Sequence, residues 1–354
     1  MGGYVRSSAL APIRSCVDRF GGRIDRVLRH ADLPLEILDR PELPLPLKDH
    51  YAVLHAAARE TGSAQFGAEM GALARMSMLG PYGSGSLSAP TLFAAIARAN
   101  TTLNRMMQTD TDLVLLRLRD RVKWSMIFHT RGTEGRFQNE LLAMGYQLDL
   151  LRHFLGASWR PACVHVRTSS RSDVAALERL LNAPVRASDD TPGIEFHRSL
   201  LSAVQPEACA EIQPPVEQRD MPAANDLASM TSAAIQLELV RGRPSVDAVA
   251  ARLQMSRRTF QRKLSTKGTS YGRILKEALL LEAQALLALD HPIGEIADRL
   301  GYSEHAHFTR AHREWSGLSP QQQREISLSA GQQNIHMEHP SKELTGPFTC
   351  NKIR

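Results

Sequence analysis

The chain is short of the residues that would assign it to several large classes of protein. Its 354 residues include four cysteines, Cys16, Cys163, Cys209 and Cys350, scattered without a C-x-x-C pair. That spacing supplies neither a disulfide framework nor a zinc ribbon, and a reducing cytoplasm is the expected setting. No stretch reaches the roughly 18 to 20 consecutive apolar residues of a membrane span, so no membrane partner is expected. The N-terminus also lacks a charged start followed by a long apolar run, and no secretory leader is expected.

Catalytic patterns are equally scarce. Gly80-Pro81-Tyr82-Gly83-Ser84-Gly85-Ser86 is rich in glycine, yet it has neither a G-x-S-x-G elbow nor a phosphate-loop lysine, and it reads as a flexible loop. His50, His55, His129, His153, His165 and His197 show no paired spacing for a metal, and each reads as an ordinary surface or core histidine. Cys163 follows Pro161-Ala162, which is no setting for a reactive thiol. The expectation is therefore a protein without enzymatic activity, metal or cofactor.

A local absence points the other way. Between Met255 and Lys276 there is no acidic residue, while Arg257, Arg258, Arg262, Lys263, Lys267, Arg273 and Lys276 are all basic. The whole chain carries a net charge of +6, and positions 237 to 325 hold fourteen Lys or Arg against ten Asp or Glu. A basic excess concentrated in one segment suits a polyanion.

That segment has a repeated construction. In Pro244-Ser245-Val246-Asp247-Ala248-Val249-Ala250-Ala251-Arg252-Leu253, Ser245 can cap a helix whose apolar Val246, Val249, Ala250 and Leu253 recur at helical spacing. Gln254-Met255 turns the chain, and Ser256 can cap a second helix by accepting the amide of Arg258 or Thr259. Phe260 and Leu264 face inward there, leaving Arg258, Gln261, Arg262 and Ser265 on the outer row. Arginine can bridge both acceptors of guanine and glutamine the edge of adenine, patterns displayed in the major groove of duplex DNA. Lys263, Lys267 and Arg257 suit phosphate.

The second copy has its stripe at Ile293, Ile296, Ala297 and Leu300, a left-handed stop at Gly301 and a restart at Ser303. Phe308 faces inward, leaving His305, Ala306, His307, Thr309, Arg310 and Arg313 outward. A two-residue spacing sends His305 and His307 to diverging sides of a helix, so groove or phosphate contact is expected of them, and metal binding is not. Tyr271 to Leu289, rich in Leu, Ala, Glu and Lys, predicts one helix joining the copies. Its length of about 28 Å approaches the roughly 34 Å between successive major-groove faces on one side of B-DNA.

Positions 222 to 325 resemble the DNA-binding domain of AraC/XylS-type bacterial transcription regulators. The resemblance is carried by Ile293, Gly301-Tyr302-Ser303, Phe308-Thr309-Arg310, Trp315, Gly317, Ser319-Pro320 and Arg324, in order and spacing. It implies base contact by Arg258, Gln261 and Arg262 in one groove and by His305, Ala306, His307 and Arg310 in the next. The sequence departs from the family pattern in three places. Tyr302 and His312 stand where phenylalanine is customary, and Gln323 replaces a tyrosine. His312 falls on the inward face, where a buried imidazole needs a hydrogen-bond partner.

Residues 1–204 mix both periods. Asp49 to Glu60, Ser88 to Met107, Arg136 to Leu155 and Asp173 to Leu181 predict helices. Leu113 to Leu118 and Arg121 to Ile127 predict a strand pair about Arg119-Asp120, with further extended pieces at Cys163–Val166, Val185-Arg186 and Gly193–Phe196. From about Leu35 to Pro206 this region resembles the arabinose-binding-domain-like module of one branch of AraC-type regulators. The motifs are Leu79-Gly80, Ser88-Ala89-Pro90-Thr91-Leu92, Trp159-Arg160-Pro161 and Phe196-His197-Arg198-Ser199-Leu200-Leu201. That resemblance implies effector sensing and allows dimerisation. Met70, Met76, Met78, Met106, Met107 and Met126 read as core, or as the lining of a pliable apolar pocket for a lipid-like or aromatic effector.

The expected architecture is an α+β sensing domain over residues 1–204 followed by a proline-bearing linker at 205–223. An all-α domain over 224–325 would then carry two helix-turn-helix units joined by a linker helix, with a disordered tail at 326–354. Ala224 to Val240 predicts the first helix of that all-α domain, packing Leu227, Met230, Ile235 and Leu239 against the first unit. The expected function is effector-controlled, sequence-specific binding of double-stranded promoter DNA that alters recruitment of RNA polymerase, with helices 257–267 and 304–314 as readers. An enzyme domain fused to a DNA-binding module, and a constitutive adaptor without a ligand, are the alternatives.

Overall fold

A computed structural model describes residues 2–129, 134–168, 171–187, 191–206, 219–223 and 225–326. Most of the expected linker, residues 207–218, and the tail from 327 lie outside the described residues. The chain divides into two compact units, Met1–Tyr271 and Gly272–Arg354.

The first unit opens with β1 (Tyr4–Arg6), α1 (Ile13–Arg19), α2 (Ile24–His30), β2 (Pro44–Pro46), α3 (Leu47–Thr61), α4 (Phe66–Leu73), α5 (Gly80–Leu87) and α6 (Leu92–Met106). The hairpin β3 (Thr111–Arg117) and β4 (Arg121–Phe128), helix α7 (Arg136–Leu155), β5 (Cys163–Val166), α8 (Arg171–Leu181), β6 (Val185–Ala187) and β7 (Gly193–His197) follow. Strands β1 and β2 pair antiparallel by themselves, and the other five form a sheet in the order β3-β4-β7-β5-β6. All pairs in that sheet are antiparallel except β5 with β6, which needs the α8 crossover.

Alternation along β4 buries Val122, Trp124, Met126 and Phe128 on one face. The Trp124 indole N–H is satisfied by Asn100 Oδ1 at 2.8 Å. Helix α7 is apolar on more than one side and lies deep in the unit, with Leu141, Leu142, Leu148, Leu150 and Leu151 all buried. Its contact with α4 is made through glycines: a Cβ on Gly145 would sit 2.3 Å from the Gly71 Cα. Only paired small residues let two backbones approach that closely.

Three expectations need correction. The glycine-rich run 80–86 is helix α5 and not a loop. Pro81 starts it, Tyr82 anchors it in the core, and Ser84 and Ser86 donate back to the carbonyls of Gly80 and Tyr82 at 3.1 and 2.9 Å. Gly83 is needed because a Cβ there would lie 1.7 Å from Met76 O. The helix expected from Ser88 starts at Leu92, since Thr91 is its N-cap and accepts from the Ala94 amide at 3.2 Å. The reading helix expected from residue 304 begins at His305.

The remaining helices are α9 (Leu227–Leu239), α10 (Val246–Arg252), α11 (Arg257–Thr266), α12 (Tyr271–Ala288), α13 (Ile293–Arg299) and α14 (His305–Ser316), with residues 320–326 also helical. Asp226 caps α9 by accepting from Ala228 and Ser229. Helices α9 to α11 belong to the first compact unit, and Leu237 of α9 joins its hydrophobic core. Among the described residues no helix is long and apolar enough to cross a membrane.

Candidate nucleic-acid interface

Helices α10 and α11 form a helix-turn-helix held by two serine caps. Ser245 Oγ accepts from Ala248 N at 3.1 Å, and Ser256 Oγ from Thr259 N at 3.3 Å. Between the helices Gln254 adopts a left-handed φ of 57°, and Met255 N reaches back to Ala250 O at 2.9 Å. Val249, Ala250, Leu253, Phe260 and Leu264 are buried beneath the turn. Tyr271 closes this core, its ring edge-on to Phe260 at 6.3 Å and its hydroxyl donating to Pro244 O at 2.9 Å.

That core fixes which side of α11 faces solvent. Arg257, Arg258, Gln261, Arg262, Lys263 and Lys267 are all exposed. Arg257 leans back to Asp247 at 3.2 Å, whereas the side chains of Arg258, Gln261, Arg262, Lys263 and Lys267 have no hydrogen bond or ion pair among the described residues. Arg258, Gln261, Arg262 and Ser265 follow helical spacing along one row.

Helices α13 and α14 repeat the construction with a different turn. Gly301 takes φ 75°, and Tyr302 N bonds Ala297 O at 2.9 Å. Ser303 does not cap α14: the N-cap is Glu304, and no side chain accepts there. The Glu304 carboxylate instead lies 3.8 Å from His307 Nε2. Phe308 is the buried anchor, with Tyr302 and His312 against it at 5.8 and 5.7 Å. His305, Ala306, His307, Arg310 and Arg313 are exposed.

His312 is fully buried. Its Nδ1 donates to Leu318 O at 2.9 Å, which supplies the partner that its burial requires, but Nε2 has none among the described residues. Among the described residues no group of three or more His, Cys, Asp or Glu side chains is placed so as to hold a metal ion.

Residues 21–204 match the family model described as the arabinose-binding domain of AraC transcription regulators, and residues 249–326 match a helix-turn-helix domain. The first match spans more than half of the chain. The protein belongs to the AraC family of transcription regulators. This AraC-type protein is 24% identical over 336 residues to the HTH-type transcriptional regulator VirS of Mycobacterium tuberculosis, covering 92% of the chain and 97% of VirS. VqsM of Pseudomonas aeruginosa, also an HTH-type transcriptional regulator, is 42% identical over 77 residues, 22% of this chain and 24% of VqsM. The crystal structure of transcriptional regulator CdpR from Pseudomonas aeruginosa aligns over 73% of this chain and 86% of CdpR, at 22% identity and a TM-score of 0.33.

Sequence reasoning missed one cluster in this AraC-type regulator. Arg252, on α10, pairs with Glu238 of α9 at 2.7 Å and with Asp49 of α3 at 3.2 Å, and all three side chains are largely buried. Burial raises the Asp49 carboxyl more than Lys48 and Arg252 lower it. No local pattern could reveal this, because Asp49 and Arg252 lie 203 residues apart.

Proposed function

We propose that the protein is a sequence-specific, effector-controlled regulator whose helices α11 and α14 enter adjacent major grooves of promoter DNA. In α11, Arg258, Gln261 and Arg262 read base edges, while Arg257, Lys263 and Lys267 hold phosphates. In α14, His305, Ala306, His307 and Arg310 face the bases, and Arg313 faces the backbone. The observation that carries this reading is the unpartnered outer row of α11, on a helix capped by Ser256 and seated on a full core. Folding the reading helix before binding lowers the entropic cost of recognition.

The N-terminal domain is the sensor, and DNA-bound protein alters recruitment of RNA polymerase. Asp49, Arg252 and Glu238 give effector binding a physical route to the first reading helix. They join α3 of the sensing region to α10, the helix that positions α11. No bond chemistry is assigned to the protein: a sensor returns its ligand unaltered.

The test is equilibrium binding to a selected operator across salt concentrations. Arg262→Ala should lose about 1 to 3 kcal/mol on that site and relax preference at one base pair. Lys267→Ala should weaken all sequences alike and reduce the salt slope by about one. Unchanged preference in Arg262→Ala overturns the assignment of that residue.

A further inference from the structure

Within the first unit, a cavity of about 50 Å³ lies between α7, β4 and the segment around Met76, and its walls include Met76, Met107, Met126, Tyr82, Trp124 and Tyr146. At the roughly 10 to 15 Å³ that one water requires, it holds about three to five water-sized groups. Three of the methionines anticipated as pocket lining are in this wall. Met70 is core, and Met78 is exposed. Thioether side chains let such a wall yield to a somewhat larger guest.

The polar lining is small and one-sided. Tyr82 OH donates to Ala99 O, Tyr146 OH to Ala9 O and Gln108 Nε2 to Thr111 Oγ1. Asn139 and Gln147, 3% and 4% exposed, both line the cavity, and Asn139 Nδ2 and Gln147 Nε2 have no partner among the described residues. The Asn139 oxygen is occupied by His50 Nε2 at 2.9 Å, so the amide presents its NH2. Both residues lie on one stripe of α7 with Leu142, Ala143 and Tyr146, and eight residues of helix separate them by about 12 Å. A buried donor left without an acceptor is costly, and a ligand that accepts from it recovers that cost.

We infer that this cavity is the effector site and takes a small, uncharged, largely apolar carbonyl compound, such as a ketone, ester or amide, whose oxygen accepts from Gln147. This inference rests on the effector-controlled reading above. An ionised ligand is disfavoured because no lysine, arginine or histidine lines the cavity to offset its desolvation. A sugar is disfavoured because its many hydroxyls would meet mostly methionine, leucine and aromatic carbon. The site also adjoins the ion-pair cluster. His50, which holds Asn139, is next in sequence to Asp49, which pairs with Arg252.

Saturation-transfer NMR on the full-length protein tests the site with cyclopentanone, cyclopentane and butyrate as probes. Cyclopentanone is expected to bind saturably and about tenfold more tightly than cyclopentane, the difference one recovered hydrogen bond supplies, with butyrate weaker still. Gln147→Leu should reduce the ketone preference at least about threefold while leaving cyclopentane binding intact. Ala143→Leu, which fills the cavity and leaves both amides in place in the chain, should abolish cyclopentanone binding. Circular dichroism checks that both variants fold. Absent ketone binding, equal binding of ketone and hydrocarbon, tighter binding of butyrate, or an unchanged preference in Gln147→Leu each overturns the proposal. Saturable ketone binding without any change in operator affinity keeps the site and sinks the effector-controlled reading instead.

Discussion

His50 shows how one buried side chain sets a pH response. It is wholly enclosed, and burial pushes its imidazole down to about 4 against the hydrogen bond with Asn139, which acts in the opposite direction. A folded pKa below the unfolded value means that the unfolded chain takes up the proton first. The stability contributed by neutral His50 is therefore complete above pH 6.5 and is lost as pH falls toward 4, to a total on the order of 3 kcal/mol. His50→Gln has nothing to titrate, so denaturant unfolding at pH 7 and pH 4.5 should show the wild type losing more stability than the variant. Parallel losses would remove His50 from the explanation. His312 is the contrasting case: it is buried at a customary phenylalanine position yet satisfied at Nδ1 by Leu318. The expectation that its imidazole needs a partner is met on one nitrogen only.

Among the elements, the α4–α7 contact depends most on composition. Gly145→Ala would place a methyl 2.3 Å from Gly71 Cα and 2.5 Å from Gly71 O, where only backbone could move, whereas Gly71→Ala finds its nearest atom at 3.2 Å. Thermal or denaturant unfolding should show a loss of about 1 to 3 kcal/mol or more for Gly145→Ala and a smaller loss for Gly71→Ala. Equal effects would mean that the helices separate freely. Elements with strong periodicity were legible in the sequence: α7 begins and ends where Arg136 and Leu155 were expected, and β5 spans Cys163–Val166. Helix α5 was not, because glycine and serine read as a loop until Gly83 is seen against Met76 and the serine hydroxyls against their own helix. Strands β1 and β2 were missed as well, being three residues each and paired across some forty residues of chain. The start of α14 shifted from Ser303 because local capping chemistry predicts a preference, and the turn after Gly301 places Glu304 there instead.

For the whole molecule, the exposed row of α11 was legible because cap, period and charge all lie within one short segment. The cavity and the Asp49–Arg252–Glu238 cluster were not legible, since each joins elements far apart in the chain. That cluster ties the first helix-turn-helix to α3, and removing Arg252 takes from two largely buried carboxylates the partner they share. Arg252→Met should destabilise the Met1–Tyr271 unit by about 3 to 5 kcal/mol, read from hydrogen exchange in α9 and α10. Unchanged exchange would reduce the cluster to a minor contact.

Recognition of adjacent grooves by α11 and α14 is tested most directly by hydroxyl-radical footprinting of the purified full-length protein on its selected operator. Two protected windows, their centres about 10 base pairs apart on one face of the duplex, are expected. In Arg262→Ala the window assigned to α11 should fade at lower salt than the other. A single window, or two on opposite faces, would contradict reading by both helices.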